Sequence, residues 1–174
     1  MSDTTRVPCD RGWARRAVPS HHGGRARRMA AALAVLGVVQ LGGARAAELP
    51  ASLRERLAAS TYVYIATQRK DGSFGKPAEI WFMYHDGAVW VGTPPTTWRV
   101  KRIKHHRPTA KIAVGTADGP SFEAVGTIVK DPKVADLLFE TYAKKYPDRW
   151  PGYAERFKNG MKDGSRVLVK YVPK

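Results

Sequence analysis

From Thr61 onward, hydrophobic and polar residues alternate with a period of two in several short segments. This pattern is typical of half-buried β-strands. Between two of the segments, Asp86-Gly87 predicts the tight turn of an antiparallel hairpin. The predicted strands are Thr61–Gln68, Pro77–Tyr84, Ala88–Thr93, Ala110–Thr116, Phe122–Lys130 and Ser165–Val172. Short strands joined by tight turns favour a mainly β fold, closed or nearly closed into a small barrel.

A period near 3.6 residues predicts short helices between these strands. Leu53 and Leu57 share one face of a first helix. Asp131 is placed to cap a longer helix that opens with Pro132, and a last helix is predicted to end at Gly160. The inward stripe of the longer helix is Val134, Leu137, Leu138, Thr141 and Tyr142.

The first 46 residues follow a different pattern. Met29–Gly43 is uncharged and apolar, with three arginines just before it and the small residues of Ala44-Arg45-Ala46 just after. This order predicts a secretory signal, with twin-arginine export allowed by Arg27-Arg28. The apolar run is shorter than the roughly 20 residues that span a bilayer, so no permanent membrane anchor is expected. The alternative is a buried helix of a cytoplasmic protein.

We therefore predict an export segment at residues 1–46 and one domain at residues 47–174, in a periplasmic or secreted protein. The whole chain has a formal charge of +15, which first suggests a polyanionic partner. Removing the eight Arg and two Asp of the export segment leaves 22 basic and 13 acidic residues, a net charge of +9. Cys9 would be removed too, so the domain has no disulfide, thiolate nucleophile or cysteine metal site.

Metal binding and hydrolysis find little support in the remaining residues. His105 and His106 are adjacent, so on a helix their side chains diverge by about 100° and do not readily share one ion. No H-E-x-x-H and no G-x-S-x-G motif is present. Glu79 and Glu123 lie within predicted strands, where a single acid more often faces solvent. We predict no metal and no carboxylate pair for acid–base chemistry.

Thr93–Pro108 carries the densest charge: Arg99, Lys101, Arg102, Lys104 and Arg107. A helix is predicted from Trp98 to Arg107, with Thr96 or Thr97 as its N-cap and Pro108 after its end. The five basic residues encircle this helix instead of forming one stripe, and no known nucleic-acid module matches, so we expect no nucleic-acid partner. A threonine-rich helix start followed at once by an arginine suits the phosphate of a small ligand instead.

The order of several short motifs resembles a known family. These are Ala66–Gly72 (ATQRKDG), Pro77, Ile80-Trp81-Phe82, Asp86-Gly87, Thr93, Thr97 with Arg99, and Pro108. Together they are similar to the FMN-binding split barrels of the pyridoxamine 5′-phosphate oxidase-like superfamily, over roughly Leu53 to Lys174. The resemblance implies a six-stranded antiparallel split β-barrel with short peripheral helices. It also implies a homodimer with the flavin between the subunits.

The resemblance further implies which residues hold the cofactor. Thr97 and Arg99 would hold the flavin phosphate, with Thr93 nearby and Lys76 at the mouth of the second strand. Ile80, Trp81 and Phe82 would contact the isoalloxazine ring, largely through their backbone; the alternative for Trp81 and Phe82 is plain barrel core. Related barrels bind the deazaflavin F420 or haem instead of FMN.

A flavin-dependent oxidoreductase acting on a small molecule is the function that the resemblance implies, because the cofactor supplies the redox chemistry. The C-terminal VLVKYVPK lacks the arginine-rich substrate signature of pyridoxamine phosphate oxidases, so that activity is not expected. Trp98 also stands where those oxidases often have a second basic residue. The alternative is a non-catalytic split barrel that binds an anionic ligand, haem or a partner protein.

Overall fold

A computed structural model describes residues 47–174. The predicted export segment and Cys9 lie outside this range, and the export signal stays a prediction. The strands are β1 (Val63–Thr67), β2 (Ala78–Ile80), β3 (Met83–His85), β4 (Ala88–Thr93), β5 (Thr109–Val114), β6 (Ser121–Val129) and β7 (Val167–Pro173). The helices are α1 (Ala51–Ala59), α2 (Trp98–Lys104), α3 (Pro132–Lys145) and α4 (Ala154–Asp163), with a 3-10 turn at Trp150–Gly152. Within residues 47–174, no helix has the length and apolar character needed to cross a membrane.

All strands pair antiparallel in one sheet, in the order β2-β1-β5-β6-β7-β4-β3. The predicted hairpin is confirmed, since His85 pairs with Ala88 across Asp86-Gly87. Both turn residues have positive φ, 51° and 66°, as a two-residue hairpin turn of the primed type requires.

The predicted strand Pro77–Tyr84 is wrong as a single strand. It divides into β2 and β3, which lie at opposite edges of the sheet order. Only Trp81 and Phe82 separate them, and so short a link spans at most about 10 Å. The sheet must therefore curl until its two edges almost meet. The predicted mainly β split barrel is confirmed, with seven strands in the described residues where six were expected.

Two hydrophobic clusters cover the two faces of the curled sheet. Val89 and Val91 of β4 point into the barrel with Leu57 of α1 and Val100 of α2. Trp90, between them in sequence, points outward to the cluster that α3 and α4 cover. Because both faces are covered, β4 is buried along nearly its whole length instead of alternating with polar residues.

Two predicted helix ends are wrong for local reasons. Helix α2 stops at Lys104, not Arg107, because His106 adopts a left-handed conformation (φ 58°) and the backbone N–H of Arg107 donates to the Arg102 carbonyl. This is a Schellman C-cap, which ends the helix before the proline does. Helix α4 continues through Gly160 to Asp163 and has Gly164, whose φ is 83°, as its C-cap.

The crossing from β2 to β3 is held by two tyrosines one turn apart, Tyr142 in α3 and Tyr146 at its C-cap. The Tyr142 hydroxyl donates to the Trp81 carbonyl at 2.7 Å. The Phe82 backbone N–H donates to the Tyr146 hydroxyl at 3.1 Å, and that hydroxyl donates to the Thr61 carbonyl at 2.7 Å. We call Thr61, Trp81, Phe82, Tyr142 and Tyr146 together the seam. Its hydroxyls satisfy backbone groups that have no neighbouring strand to pair with.

Replacing Tyr146 by Phe should remove both hydrogen bonds of its hydroxyl and leave the buried Phe82 N–H without a partner. We expect the free energy of unfolding to fall by about 1–3 kcal/mol, measured by urea denaturation. Tyr62→Phe is the matched control, because the Tyr62 ring stacks on Tyr146 at 5.9 Å but its hydroxyl makes no hydrogen bond with the described residues. Equal losses in the two variants would contradict this role of the seam.

Lys145 also contacts the seam, with its Nζ 3.4 Å from the centroid of the Phe82 ring. Burial lowers the pKa of Lys145 to about 8. The unfolded chain then binds more protons than the folded one between about pH 8 and the usual lysine pKa, so the protein gains stability with rising pH in that window.

Lys145→Met should abolish this gain. We expect the difference in free energy of unfolding between wild type and variant to be constant below pH 7.5. It should then shift in favour of wild type from pH 8 to 10, in urea titrations at each pH. Taking the difference cancels the tyrosines, which titrate in both proteins. A difference that stays flat up to pH 10 would show that Lys145 is not desolvated in the folded state.

Candidate anion-binding cleft

A cleft of about 460 Å³ opens between the end of β1, the loop before β2 and the first turns of α2. Its lining comprises Ile65, Thr67, Arg69, Gly75, Lys76, Ala78, Thr97, Trp98, Arg99 and Arg102. Three of the residues predicted to hold the cofactor, Lys76, Thr97 and Arg99, therefore meet in one place. The predicted contact between these residues and a phosphate itself stays a prediction.

The charge of the lining is of one sign. Arg69, Lys76, Arg99 and Arg102 line the cleft, and no acidic side chain lines it. Like charges repel, and Arg99 and Arg102 are close neighbours three residues apart on α2. The arrangement therefore favours an anion that would neutralise the cations. No cluster of three or more His, Cys, Asp or Glu that could hold a metal occurs among residues 47–174.

Arg99 is the cation of the cleft with the least compensation. Its side chain is half-buried, and no hydrogen bond or ion pair within residues 47–174 involves its guanidinium group. Burial lowers the pKa of Arg99, while the nearby Tyr171 and Tyr142 hydroxyls oppose that shift. The Tyr171 hydroxyl is itself buried without a hydrogen-bond partner in this part of the chain. Since Arg stays charged at neutral pH, Arg99 presents unmatched donors.

Arg102 forms part of the wall of the cleft. Its Nη1 donates to Thr67 Oγ1 at 2.6 Å and also to the Thr67 carbonyl, so it ties α2 to the end of β1. Gly75 lies against this contact, because a Cβ at that position would approach Arg102 Nη1 to 3.2 Å. Arg102 was not predicted as a site residue.

The two threonines of the predicted site support the turn before α2. Thr97 occupies the N-cap position, but its side chain does not cap the helix. Its hydroxyl donates to the Pro94 carbonyl at 2.9 Å and lies 3.3 Å from Thr93 Oγ1. Thr93 is buried and does not line the cleft. It acts here by positioning Thr97.

Ile80, Trp81 and Phe82 do not line the cleft. Phe82 is fully buried in the barrel, and Trp81 stacks on Tyr146 at 4.4 Å with Phe157 at 6.5 Å. The Trp81 carbonyl and the Phe82 N–H are committed to the seam. The side chains of Trp81 and Phe82 thus pack with the hydrophobic clusters, the alternative that the sequence left open for them, and the contact of all three residues with a flavin ring stays a prediction.

Seven of the ten lining residues were not predicted as site residues, and three of them carry a charge or an exposed ring: Arg69, Trp98 and Arg102. Two of these three carried a signal in the sequence. Arg102 follows Arg99 by three residues and so shares its face of α2. Arg69 lies within the Ala66–Gly72 motif on which the resemblance rests. Trp98 carried no comparable signal, because its exposure depends on how α2 packs.

No protein-family model and no curated protein matches the chain. Solved structures of low identity share its fold. A conserved hypothetical protein of Mycobacterium tuberculosis has a TM-score of 0.55 at 19% identity, over 76% of this chain and 84% of that one. HutZ, a heme storage protein of Vibrio cholerae, has a TM-score of 0.51 at 13% identity, over 74% and 92%. A Listeria innocua protein proposed to be a pyridoxamine 5′-phosphate oxidase has a TM-score of 0.50 at 12% identity, over 71% of this chain and 91% of that one.

These likenesses agree with the split-barrel fold that the resemblance to the pyridoxamine 5′-phosphate oxidase-like superfamily implied. At such identities they establish the fold and not the activity. The choice among the ligands of such barrels therefore rests on the cleft itself.

Arg102→Met should detach α2 from β1 by removing two hydrogen bonds from a charged donor. We expect the free energy of unfolding to fall by about 1.5–3 kcal/mol in urea denaturation. Lys101→Met is the matched control: Lys101 is exposed on the same helix, lies near the same Trp98 ring and makes no hydrogen bond with the described residues. It should cost less than about 0.5 kcal/mol. Indistinguishable variants would exclude the structural role of Arg102.

Proposed function

We propose that the chain is a flavin-binding split barrel that holds the phosphate of FMN in the cationic cleft and acts as a flavin-dependent oxidoreductase on a small molecule. The observation that carries this proposal is the convergence of four cations without an acid, with the Arg99 guanidinium unmatched by any described residue. A phosphate monoester supplies the oxygens and the negative charge that this donor set lacks.

The residues divide the work according to their positions. Arg99 is placed to offer paired N–H donors to two phosphate oxygens, which a lysine cannot do. Lys76 and Arg69 are exposed at the edge of the cleft and add charge that attracts the ligand. Arg102 fixes the wall of the cleft by bonding α2 to the end of β1. When bound, FMN would supply electron transfer at its ring, and the protein would bind and orient it.

The cleft favours a flavin phosphate over haem. Protein side chains hold haem iron most often through histidine, cysteine, methionine or tyrosine. None of these residue types lines the cleft, and the histidines of the described range, His85, His105 and His106, lie elsewhere. F420 also carries a phosphate and remains an alternative ligand of the same site. We further propose the homodimer that the resemblance implies.

The first test is the visible absorption spectrum of the purified protein before and after incubation with FMN. The proposal expects bound flavin absorption that survives gel filtration. A colourless protein that takes up neither FMN, F420 nor haem would overturn the cofactor assignment. Uptake of haem alone, seen as a Soret band, would support the alternative of a haem-binding split barrel.

Arg99→Met should weaken FMN binding because it removes the unmatched guanidinium. We expect the Kd of FMN to rise about 10- to 100-fold, the range for loss of a hydrogen bond from a charged group. Isothermal titration with FMN and with riboflavin separates the phosphate contribution, since riboflavin binding should barely change.

Lys104→Met is the control for this experiment. Lys104 is exposed on α2 and does not line the cleft, yet its replacement changes the net charge equally. Its FMN affinity should stay within about twofold of wild type, as expected for a surface change. Equal weakening by both variants would indicate general electrostatic attraction, and an unchanged Kd in Arg99→Met would remove Arg99 from the site.

A further inference from the structure

Trp98 is the most exposed large hydrophobic side chain of the described residues. Its exposed fraction is 70%, and it belongs to neither hydrophobic cluster. Leaving so large an apolar ring in water forgoes the stabilisation that burial would bring. A fold that has buried Trp90 and Trp150 has thus left this tryptophan out of its core.

The surroundings of Trp98 are cationic and concave. The ring lines the cleft between Thr97 and Arg99. Lys101 Nζ and the Arg102 guanidinium carbon lie over the ring, 5.2 Å and 5.8 Å from its centroid, yet the side chain keeps most of its surface exposed. A largely exposed aromatic ring therefore lies beside the cations that favour an anion. Indole faces stack on flat ring systems, and stacking of one ring on an aromatic side chain strengthens binding about 5- to 150-fold, which corresponds to about 1–3 kcal/mol.

The other predicted position for a ring already has internal partners. Trp81 stacks with Tyr146 and with Phe157, and the Phe82 N–H is bonded to Tyr146. A flat ring that enters the cleft finds its exposed aromatic partner at Trp98 instead. Arg99 and Trp98 line the same cleft, so one ligand could present a phosphate to the guanidinium and a ring to the indole.

We propose that Trp98 is a stacking platform that makes the cleft selective for anions carrying a planar aromatic ring a short linker away from the phosphate. This inference rests on the proposed anion site but assigns the ring of the ligand to Trp98. Inorganic phosphate and sugar phosphates would use only the cations. Aromatic phosphates such as FMN would use the cations and the indole together.

The test compares Trp98→Ala and Trp98→Phe of the full chain in titrations with FMN and with ribose 5-phosphate, which has the phosphate without the ring. We expect Trp98→Ala to weaken FMN binding about tenfold or more and Trp98→Phe to restore most of it. Neither variant should change the Kd of ribose 5-phosphate by more than about twofold. Because Trp98 is exposed, urea denaturation should show both variants to be folded.

Each other outcome overturns the inference in a recognisable way. Equal weakening of both ligands means that Trp98 shapes the cleft and does not stack. Unchanged FMN binding in Trp98→Ala places the ring elsewhere while the anion site stands. A wild-type protein that binds neither ligand removes the anion site and this inference with it. A last outcome is that wild-type protein sediments with phosphatidylglycerol vesicles and that Trp98→Ala abolishes this sedimentation while FMN binding stays intact. That result assigns Trp98 to contact with a membrane surface.

Discussion

The closed shape of the barrel depends on the hydroxyl groups of Tyr142 and Tyr146, which bond the backbone where β2 passes into β3. The chain passes from one edge of the sheet to the other through only Trp81 and Phe82, so the edges are forced together where no strand can pair with the backbone. A buried carbonyl or N–H left without a partner there would cost about 1–3 kcal/mol. The two tyrosines provide those partners from α3 and its C-cap. Closure of the barrel and docking of α3 are therefore stabilised by the same hydrogen bonds.

Local patterns predicted the elements whose determinants are local. The hairpin at Asp86-Gly87 and the Asp131 cap with Pro132 were both confirmed, because turn and cap chemistry acts within a few residues. The strand Pro77–Tyr84 was wrong for the opposite reason. Its hydrophobic residues run without interruption through the crossing, and only long-range pairing decides which sheet edge each half joins. The end of α2 was wrong because Pro108 was taken as the stop, whereas a left-handed His106 ends the helix earlier.

The candidate site divides in the same way. Lys76, Thr97 and Arg99 could be selected from residue type and from the order of motifs, and they do meet in one cleft. Thr93 lies beneath it, and its role is to hold Thr97. The spacing of Arg102 from Arg99 indicates that both lie on one face of α2, but nothing local shows that Arg102 bonds to a distant strand. Exposure of Trp98 likewise follows only from the packing of α2 against the barrel.

The bond from Arg102 to Thr67 has a consequence for the kinetics of binding. Because that guanidinium is immobilised when the protein folds, its rotamer entropy is already lost before any ligand arrives. The field inside the cleft is consequently preorganised, and an approaching anion meets it without waiting for a side chain to reorient. Such a rigid positive wall speeds encounter more than it deepens affinity, and its influence fades as ionic strength rises. Gly75 contributes to this arrangement through the side chain that it lacks, because a Cβ at that position would come within 3.2 Å of Nη1.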